Sequence, residues 1–331
     1  MQILPCLFAL LVGGFLHGEK AAGALTTTSV ATVSRAGADP LRPQKVNQDA
    51  AIHTRLLGNE PYLCVGVMDG HGLKGHVVTD YMAQQLPVRL AEQLRTPRPQ
   101  SDWEARMQEL AHFDVGADID NTDDDTAKPQ YADIHHALRH AFHQTHTDAL
   151  EQAGVPAGRS GTTCIVVLVD EAQGVLHVAH VGDSRALCIT ADGAIQVLTT
   201  ETTVAKDPAD RARVAAGEGR IDARGNVWYG PVAIAMTRAL GDGVMLRAGV
   251  VPTPRVTTSA RLPSSVLVVA TDGLWDVLSN EQVRDIVLAY ANSSVEKMAA
   301  QLAARARQAW IGDLPLQEEQ VDDITCVVAR L

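Results

Sequence analysis

Residues 163–198 read TCIVVLVDEAQGVLHVAHVGDSRALCITADGAIQVL, and this stretch decides the fold class. It contains four short runs rich in Val, Ile and Leu, at residues 163–169, 175–181, 186–189 and 195–198. Turn-forming residues such as Asp192-Gly193 separate the runs, as is typical of strands joined by tight turns. The stretch therefore predicts a meander of antiparallel β-strands.

Strand and helix patterns continue upstream of this stretch. Residues 62–68 form an apolar, β-prone run, and a helical pattern follows them at residues 76–94. Further helical patterns lie at residues 103–111 and 131–152. The local order is strand, turn and helix, but no second parallel strand follows the first helix.

Downstream, two buried-strand runs at residues 266–270 and 324–328 enclose two helical segments. Each helical segment opens on a capping-box pattern, Ser279 with Gln282 and Ser293 with Glu296. Strand blocks and helix blocks without regular βαβ alternation indicate an α+β fold. We expect a core of packed sheets that is flanked by helices.

The chain of 331 residues is long enough for one large domain, and we expect one folded body at residues 46–331. Residues 26–45 show no sustained period and are predicted to be a lead-in segment before that body. The acidic stretch at residues 114–125 is predicted to be a solvated inserted loop. Residues 200–235 are less regular.

Residues 1–25 allow two interpretations, a signal peptide or a disordered N-terminus. Residues 3–16 form an apolar run of signal-peptide length with small residues after it, but no basic residue precedes the run. The run is shorter than the roughly 20 residues of a membrane-spanning helix, so no stable membrane span is expected. A signal would direct the chain to the secretory pathway, and without one we expect a cytoplasmic or nuclear protein.

Composition excludes several classes of protein. A formal charge of -11 and a pI near 5.5 argue against binding to nucleic acid, which needs Lys and Arg to neutralise phosphates. Five widely spaced cysteines without a CxxC pair give no zinc or redox motif, and we interpret them as reduced core thiols. They are Cys6, Cys64, Cys164, Cys188 and Cys326.

Four aspartates lie at the ends of predicted strands: Asp69, Asp183, Asp272 and Asp322. If these ends lie on one side of a shared core, the carboxylates converge and repel one another unless cations are present. Oxygen ligands without His or Cys select Mg²⁺ or Mn²⁺ rather than zinc. The strand ends therefore predict a site for divalent metal ions.

Seven short motifs occur in order over residues 47–325: Asn47-Gln48-Asp49, Asp69-Gly70-His71-Gly72, Ser160-Gly161-Thr162-Thr163, Val181-Gly182-Asp183-Ser184-Arg185, Arg238-Ala239-Leu240-Gly241-Asp242, Asp272-Gly273-Leu274-Trp275-Asp276 and Asp322-Asp323-Ile324-Thr325. Together they resemble the signature motifs of metal-dependent type 2C (PPM) serine/threonine protein phosphatases, particularly plant and protist members. The resemblance implies a β-sandwich of two antiparallel sheets with pairs of helices outside and two metal ions in a cleft at one end.

The resemblance also assigns the ligands of the two ions. Asp69 is expected to bridge both ions, and Asp272 and Asp322 to complete one site. The carbonyl group of Gly70 is expected at the other site, which Asp49 serves directly or through water.

A weaker third ion is implied at Asp183 and Asp272, with Asp276 nearby. His71 matches the general acid of the family, which protonates the departing serine or threonine oxygen. The implied function is hydrolysis of phosphoserine and phosphothreonine in phosphoproteins by water that Mn²⁺ or Mg²⁺ activates. We expect the chain to act as a monomer.

The chain departs from the family pattern near the second metal and the substrate phosphate. Gln48 stands where many members have Glu, and Gln44 stands where the family often has a basic residue. Lys45, Arg42 or Arg35 are alternative phosphate ligands. In the region 200–235, which resembles the family's flap, the usual Asp-His-Lys is missing.

Three features of the sequence allow other interpretations. A catalytically inactive scaffold that keeps the fold is the alternative function, and the two glutamines at residues 44 and 48 favour it. Residues 70–75 match GxGxxG but lack the βαβ unit of a dinucleotide site. His136, His140 and His143 share one helix face and form either a transition-metal site or a partly exposed face.

Overall fold

Two antiparallel five-stranded sheets form the centre of the fold in the computed structural model, which describes residues 28–41, 43–56, 62–95, 131–312 and 320–331. In spatial order, the first sheet consists of β1 (Ser29–Arg35), β16 (Ile324–Arg330), β15 (Val266–Ala270), β8 (Arg185–Ile189) and β9 (Ile195–Val197). The second consists of β14 (Arg255–Ala260), β7 (Val175–Val181), β6 (Cys164–Asp170), β3 (Tyr62–Met68) and β2 (Ala50–Arg55).

Two small sheets of three strands accompany the large ones. One has the spatial order β13 (Leu240–Gly241), β5 (Ser160–Thr162) and β4 (Gly70–Gly72). The other has the order β10 (Arg220–Ile221), β11 (Val227–Tyr229) and β12 (Val232–Ile234). The helices are α1 (Gly75–Arg95), α2 (Ala132–Glu151), α3 (Pro208–Ala216), α4 (Asp272–Trp275), α5 (Asn280–Ala289) and α6 (Val295–Ile311).

Apolar side chains pack in three layers. Val65 and Val167 of the second sheet pack with Leu267 and Val327 of the first sheet, so the two sheets share a core. Helices α1 and α2 cover the outer face of the second sheet, and α5 and α6 cover that of the first. The predicted α+β sandwich flanked by pairs of helices is confirmed.

The predicted meander at residues 163–198 is wrong in its connectivity, although its four strands are present. β6 and β7 form a hairpin in the second sheet, whereas β8 and β9 form a hairpin in the first sheet. The chain crosses between the sheets at Gly182, whose φ of +94° is in the left-handed region that glycine readily adopts. Asp183 is therefore located at the crossing.

The body begins earlier than predicted. Ser29–Arg35, which was expected in the lead-in segment, pairs along its whole length with β16, from Ser29 opposite Arg330 to Arg35 opposite Ile324. Strand β1 lies at the sheet edge, and Ala31 is its one buried residue. Too little of this strand is buried for an apolar pattern to reveal it.

The caps of the last two helices differ from each other. Ser279 and Gln282 form the predicted capping box. The predicted box of Ser293 and Glu296 is wrong, because the cap is Ser294, whose side chain accepts from the N–H of Lys297. Of two adjacent serines able to cap, the structure uses the second, which lies directly before Val295.

Residues 208–234 form a small lobe of α3 and the sheet of β10, β11 and β12. Its base is a buried ion pair, in which Arg238 Nη2 donates to Asp210 Oδ1 at 2.8 Å and Thr237 Oγ1 donates to Asp210 Oδ2 at 2.7 Å. Arg238 is 1% exposed and Asp210 is fully buried. The region predicted to resemble a flap therefore has ordered elements of its own.

Helix α2 packs histidines against the second sheet. His135 and His177 both bind the hydroxyl of Thr258, at 2.8 and 2.7 Å, and His143 lies buried nearer the end of the helix. Among the described residues, no three His, Cys, Asp or Glu side chains are already arranged around a single ion position. The histidine face therefore provides no ready-made transition-metal site.

Several predicted features lie outside the described residues, namely residues 1–25, residues 103–111, the acidic stretch 114–125, Cys6 and Arg42. The other four cysteines are free and buried, as expected for core thiols. No helix in the described ranges is long and apolar enough to cross a membrane.

Candidate metal centre and active site

The predicted strand-end carboxylates lie together at one end of the sandwich. Ala270, the last residue of β15, pairs with Cys326 of β16 on one side and with Arg185 of β8 on the other. Asp272 opens α4 two residues after β15, and Asp322 lies two residues before β16. The register thus places the segments that carry Asp183, Asp272 and Asp322 at the same end of the first sheet.

The second sheet contributes Asp49 and Asp69 to the same end of the sandwich. The N–H of Gly70 donates to the carbonyl of Gln48 at 3.1 Å, which holds the start of β2 beside the end of β3. The hydroxyl of Thr271 donates to Asp49 Oδ2 at 3.0 Å, and this bond ties β2 to the first sheet beside Asp272. Both sheets therefore meet at the carboxylate cluster.

Burial and, to a lesser extent, the charges of neighbouring carboxylates raise the pKa values of Asp49, Asp69, Asp183 and Asp272. Burial raises the pKa of Asp69 well above its usual range, and the charges of Asp272 and Asp49 raise it further. The proximity of the Asp272 side chain thus favours the protonated form of Asp69. In the absence of cations, these carboxyl groups therefore lose their protons at a higher pH than free carboxyl groups do.

Burial also raises the pKa of Asp49 and of Asp183 to about 7 each. The charge of Asp272 contributes in both cases, and for Asp49 hydrogen bonds from Thr325 and Thr271 act in the opposite direction. Asp276 lies beside this group, where partial burial and the charge of Asp272 raise its pKa to about 6. This grouping agrees with the expected neighbourhood of Asp183, Asp272 and Asp276.

Several buried oxygen atoms of the cluster have no hydrogen-bond donor within the described part of the chain. They are Oδ1 of Asp49, Oδ1 of Asp183, Oδ1 of Asp272 and Oε1 of Gln48. An unpaired buried carboxylate oxygen is costly, and hard divalent cations satisfy such atoms. The donor set therefore fits Mg²⁺ or Mn²⁺, although its side chains are not yet gathered around one ion position.

Lys45 is the predicted phosphate ligand that the structure places at the site. Its Nζ atom lies 3.0 Å from Asp322 Oδ1 and 2.8 Å from Asp323 Oδ1. Burial alone would lower the pKa of Lys45, but hydrogen bonds to both aspartates outweigh it and the pKa is raised. Arg35, the other described candidate, is exposed at the end of β1.

Asp323 is a site residue to which the sequence assigned no role. It is 5% exposed, and its Oδ1 and Oδ2 accept the N–H groups of Gly37 and Gln48 at 2.7 and 2.9 Å. These bonds fasten the segment before β2 to the segment before β16. Its position in the motif Asp322-Asp323-Ile324-Thr325 was the available signal, but the motif does not show which aspartate faces the metal site.

His71 lies in β4, beside the cluster, and its partner was also missed. The Nε2 atom of His71 is 2.5 Å from Oδ2 of Asp242. Burial would lower the pKa of His71, but the charge of Asp242 and the hydrogen bond to it outweigh burial and raise the pKa. The Arg238–Asp242 motif contained the signal, yet 171 residues separate the two partners in sequence.

Comparison with known proteins identifies the family. Residues 65–312, about three quarters of the chain, match the family model described as protein phosphatase 2C. The chain belongs to the protein phosphatase 2C family. Members of this family are metal-dependent serine/threonine protein phosphatases.

Plant members of the protein phosphatase 2C family are among its relatives. The chain is 30% identical over 301 residues to the probable protein phosphatase 2C 14 of Oryza sativa subsp. japonica, covering 85% of this chain and 57% of that protein. It is also 30% identical over 299 residues to the probable protein phosphatase 2C 61 of Arabidopsis thaliana, covering 86% and 81%. The chain thus spans less than two thirds of the first relative.

Solved structures of protein phosphatase 2C enzymes share the fold. The serine-threonine phosphatase 2C of Toxoplasma gondii aligns with a TM-score of 0.67 at 18% identity, covering 92% of this chain and 94% of that chain. The catalytic domain of the phosphatase PstP in complex with two manganese ions aligns with a TM-score of 0.53 at 18% identity, covering 92% and 97%. The type 2C fold predicted from the motifs is confirmed.

Proposed function

We propose that this chain hydrolyses phosphoserine and phosphothreonine in phosphoproteins by a two-metal mechanism. The observation that supports it best is the convergence of partly buried carboxylates, with unpaired oxygens, beside His71 at one end of the sandwich. Membership of the protein phosphatase 2C family supports the same reaction. Nothing in the comparisons favours the alternative of an inactive scaffold.

The carboxylates would hold the ions as follows. Asp69 would bridge two Mn²⁺ or Mg²⁺ ions, with Asp272 and Asp322 at one and Asp49 and the Gly70 carbonyl at the other. When bound, the ions supply an activated water and neutralise the phosphate oxygens. Asp183 would serve a weaker third ion together with Asp272.

Gln48 changes the second ion position but does not remove it. Its Oε1 atom is buried and without a donor, so a neutral oxygen is present where many family members have a carboxylate. A neutral amide oxygen binds a divalent cation more weakly than a charged carboxylate does. The second ion would therefore depend mainly on Asp49.

His71 would complete the reaction as general acid. It gives a proton to the serine or threonine oxygen as the bond from phosphorus to that oxygen breaks. Lys45, which pairs with Asp322 and Asp323, would contact the substrate phosphate. No covalent enzyme intermediate is required.

Phosphate release from a phosphothreonine peptide tests the proposal, measured with EDTA, Mg²⁺ or Mn²⁺. We expect turnover only with metal, and a loss of at least about 100-fold in Asp272→Asn, since even outer-sphere changes cost 10- to 100-fold. Asp285→Asn, on the exposed face of α5, is the matched control and should retain activity. Folded wild-type protein without turnover in either metal would overturn the proposal.

A further inference from the structure

The small sheet of β13, β5 and β4 places Asp242 against His71. Gly161 in the middle strand pairs with His71 on one side and with Gly241 on the other. Asp242 follows Gly241 directly, so its side chain starts one residue beyond the position opposite His71. Strands β4 and β5 of this sheet are each one residue away in sequence from β3 and β6 of the second large sheet, and the sheet joins three of the motifs.

The backbone holds Asp242 in a fixed position. Its N–H donates to the carbonyl of Ser160 at 3.1 Å, and its own carbonyl accepts the N–H of Met245 at 2.7 Å. Its φ of 50° is in the left-handed region, which is uncommon for a residue other than glycine. Strain of this kind persists only where the surrounding structure imposes it.

The side chain of Asp242 is not used for local structure. Asp242 precedes the 3-10 helix Gly243–Ala248 at the N-cap position, but it makes no side-chain cap hydrogen bond. The residue is 2% exposed, and Oδ2 contacts Nε2 of His71 instead. A β-carbon at Gly161 would overlap this carboxylate, so the absence of a side chain there makes room for it.

We propose that Asp242 is a positioning residue that orients the imidazole ring of His71 for proton transfer. Its carboxylate accepts the hydrogen bond from Nε2–H and fixes the ring, which leaves Nδ1 to face the leaving oxygen. The Nδ1 proton passes to the serine or threonine oxygen as the P–O bond breaks and its electron pair stays on that oxygen. The inference rests on the proposed function.

A double-mutant cycle with two substrates tests the assignment. The variants are Asp242→Asn, His71→Ala and the pair together, and the substrates are a phosphothreonine peptide and 4-nitrophenyl phosphate. The threonine oxygen of the peptide is a poor leaving group that needs a proton, whereas 4-nitrophenolate is a good leaving group that departs without one. General acids contribute roughly 100- to 10,000-fold, so the effect is large enough to measure.

We expect Asp242→Asn to lower kcat for the peptide by about 10- to 100-fold, with KM unchanged and a much smaller loss for 4-nitrophenyl phosphate. In the His71→Ala background, Asp242→Asn should cause no further loss. Equal losses on both substrates, or losses that multiply in the double variant, would overturn the inference. Mn²⁺ affinity and the melting temperature of Asp242→Asn check that its site and fold are intact.

A measurement on the wild-type chain covers the case in which Asp242→Asn does not fold. Long-range ¹H–¹⁵N NMR of the His71 ring should show a proton on Nε2, and an unprotonated Nε2 would overturn the inference. This result does not depend on turnover. Wild-type protein that hydrolyses neither substrate with Mn²⁺ would instead refute the proposed function, so the two failures are distinguishable.

Discussion

The ammonium group of Lys45 lies 3.0 Å from Oδ1 of Asp322, so a predicted phosphate ligand is paired with a predicted metal ligand. The pair is only partly buried, since the side chain of Lys45 is 14% exposed and that of Asp322 is 47% exposed. In the absence of metal, Lys45 supplies positive charge where a cation is expected. A divalent ion that binds Asp322 must compete with it.

Lys45→Gln should therefore tighten the binding of Mn²⁺. Partly exposed ion pairs contribute up to about 1 kcal/mol, which corresponds to roughly fivefold in Kd. Isothermal titration calorimetry of the metal-free protein measures the change, and Lys206→Gln, at an exposed lysine, is the control. Unchanged or weaker binding would show that Lys45 does not compete for the site.

Gly161→Ala should act like a substitution of Asp242. The added methyl group overlaps the Asp242 carboxylate and displaces it from His71, so kcat for the phosphothreonine peptide should fall by about 10- to 100-fold. Gly158→Ala is the matched control, because an added β-carbon there meets open space. Steady-state kinetics of both variants measure the effect. A similar fall in kcat for Gly158→Ala would indicate general damage to residues 158–161 instead of a specific displacement of Asp242.

Asp210→Ala should destabilise the chain strongly. The substitution leaves the guanidinium group of Arg238 buried without its carboxylate, a change that costs about 3–5 kcal/mol in the free energy of unfolding. Asp285→Ala breaks an exposed ion pair with Arg284 and should change that free energy by less than about 0.5 kcal/mol. Urea denaturation of the two variants provides the comparison, and similar losses would contradict the ranking.

His180 should make folding stability depend on pH. Burial, with the charges of Arg255 and Arg238, lowers the pKa of His180 from 6.5 to about 3 in the folded chain. As pH falls below about 6.5, the unfolded chain takes up this proton first, so the free energy of unfolding decreases. The stability that neutral His180 allows is therefore present above pH 6.5 and is lost toward pH 3.

His180→Gln should reduce that pH dependence. Between pH 7.5 and pH 4.5 the wild type should lose about 3 kcal/mol more than the variant, since the two pH units below 6.5 correspond to about 1.4 kcal/mol each. Urea denaturation at both pH values measures the difference, and His53→Gln, at an exposed histidine, should alter it less. A variant with the wild-type pH dependence would contradict the assignment of this proton.

Strands buried on both faces could be predicted from the sequence because burial leaves an unbroken apolar run. β6 is buried at every residue, and its boundaries differ from the prediction by one residue. β1 could not be predicted in this way, since an edge strand with one buried residue resembles a polar segment. The crossing at Gly182 was equally hidden, because a turn within a sheet and a step between sheets use the same residue types.

The candidate site divides along similar lines. Aspartates at strand ends could be found because each stands next to its own apolar run. The contacts of His71 with Asp242 and of Lys45 with Asp323 join segments 171 and 278 positions apart, and no local pattern connects such residues. Tertiary packing decides which charged groups meet, and composition and periodicity carry no record of it.

The pairing of β1 with β16 has a consequence for biosynthesis. A ribosome that has made β1 must still add about 290 residues before the partner strand emerges, which takes about 15–60 s at 5–20 residues per second. Asp322 and Lys45 meet only in that final step. A nascent polypeptide that lacks residues 322–330 therefore has neither Asp322 nor the partner strand of β1, and the proposed metal site stays incomplete until they have been made.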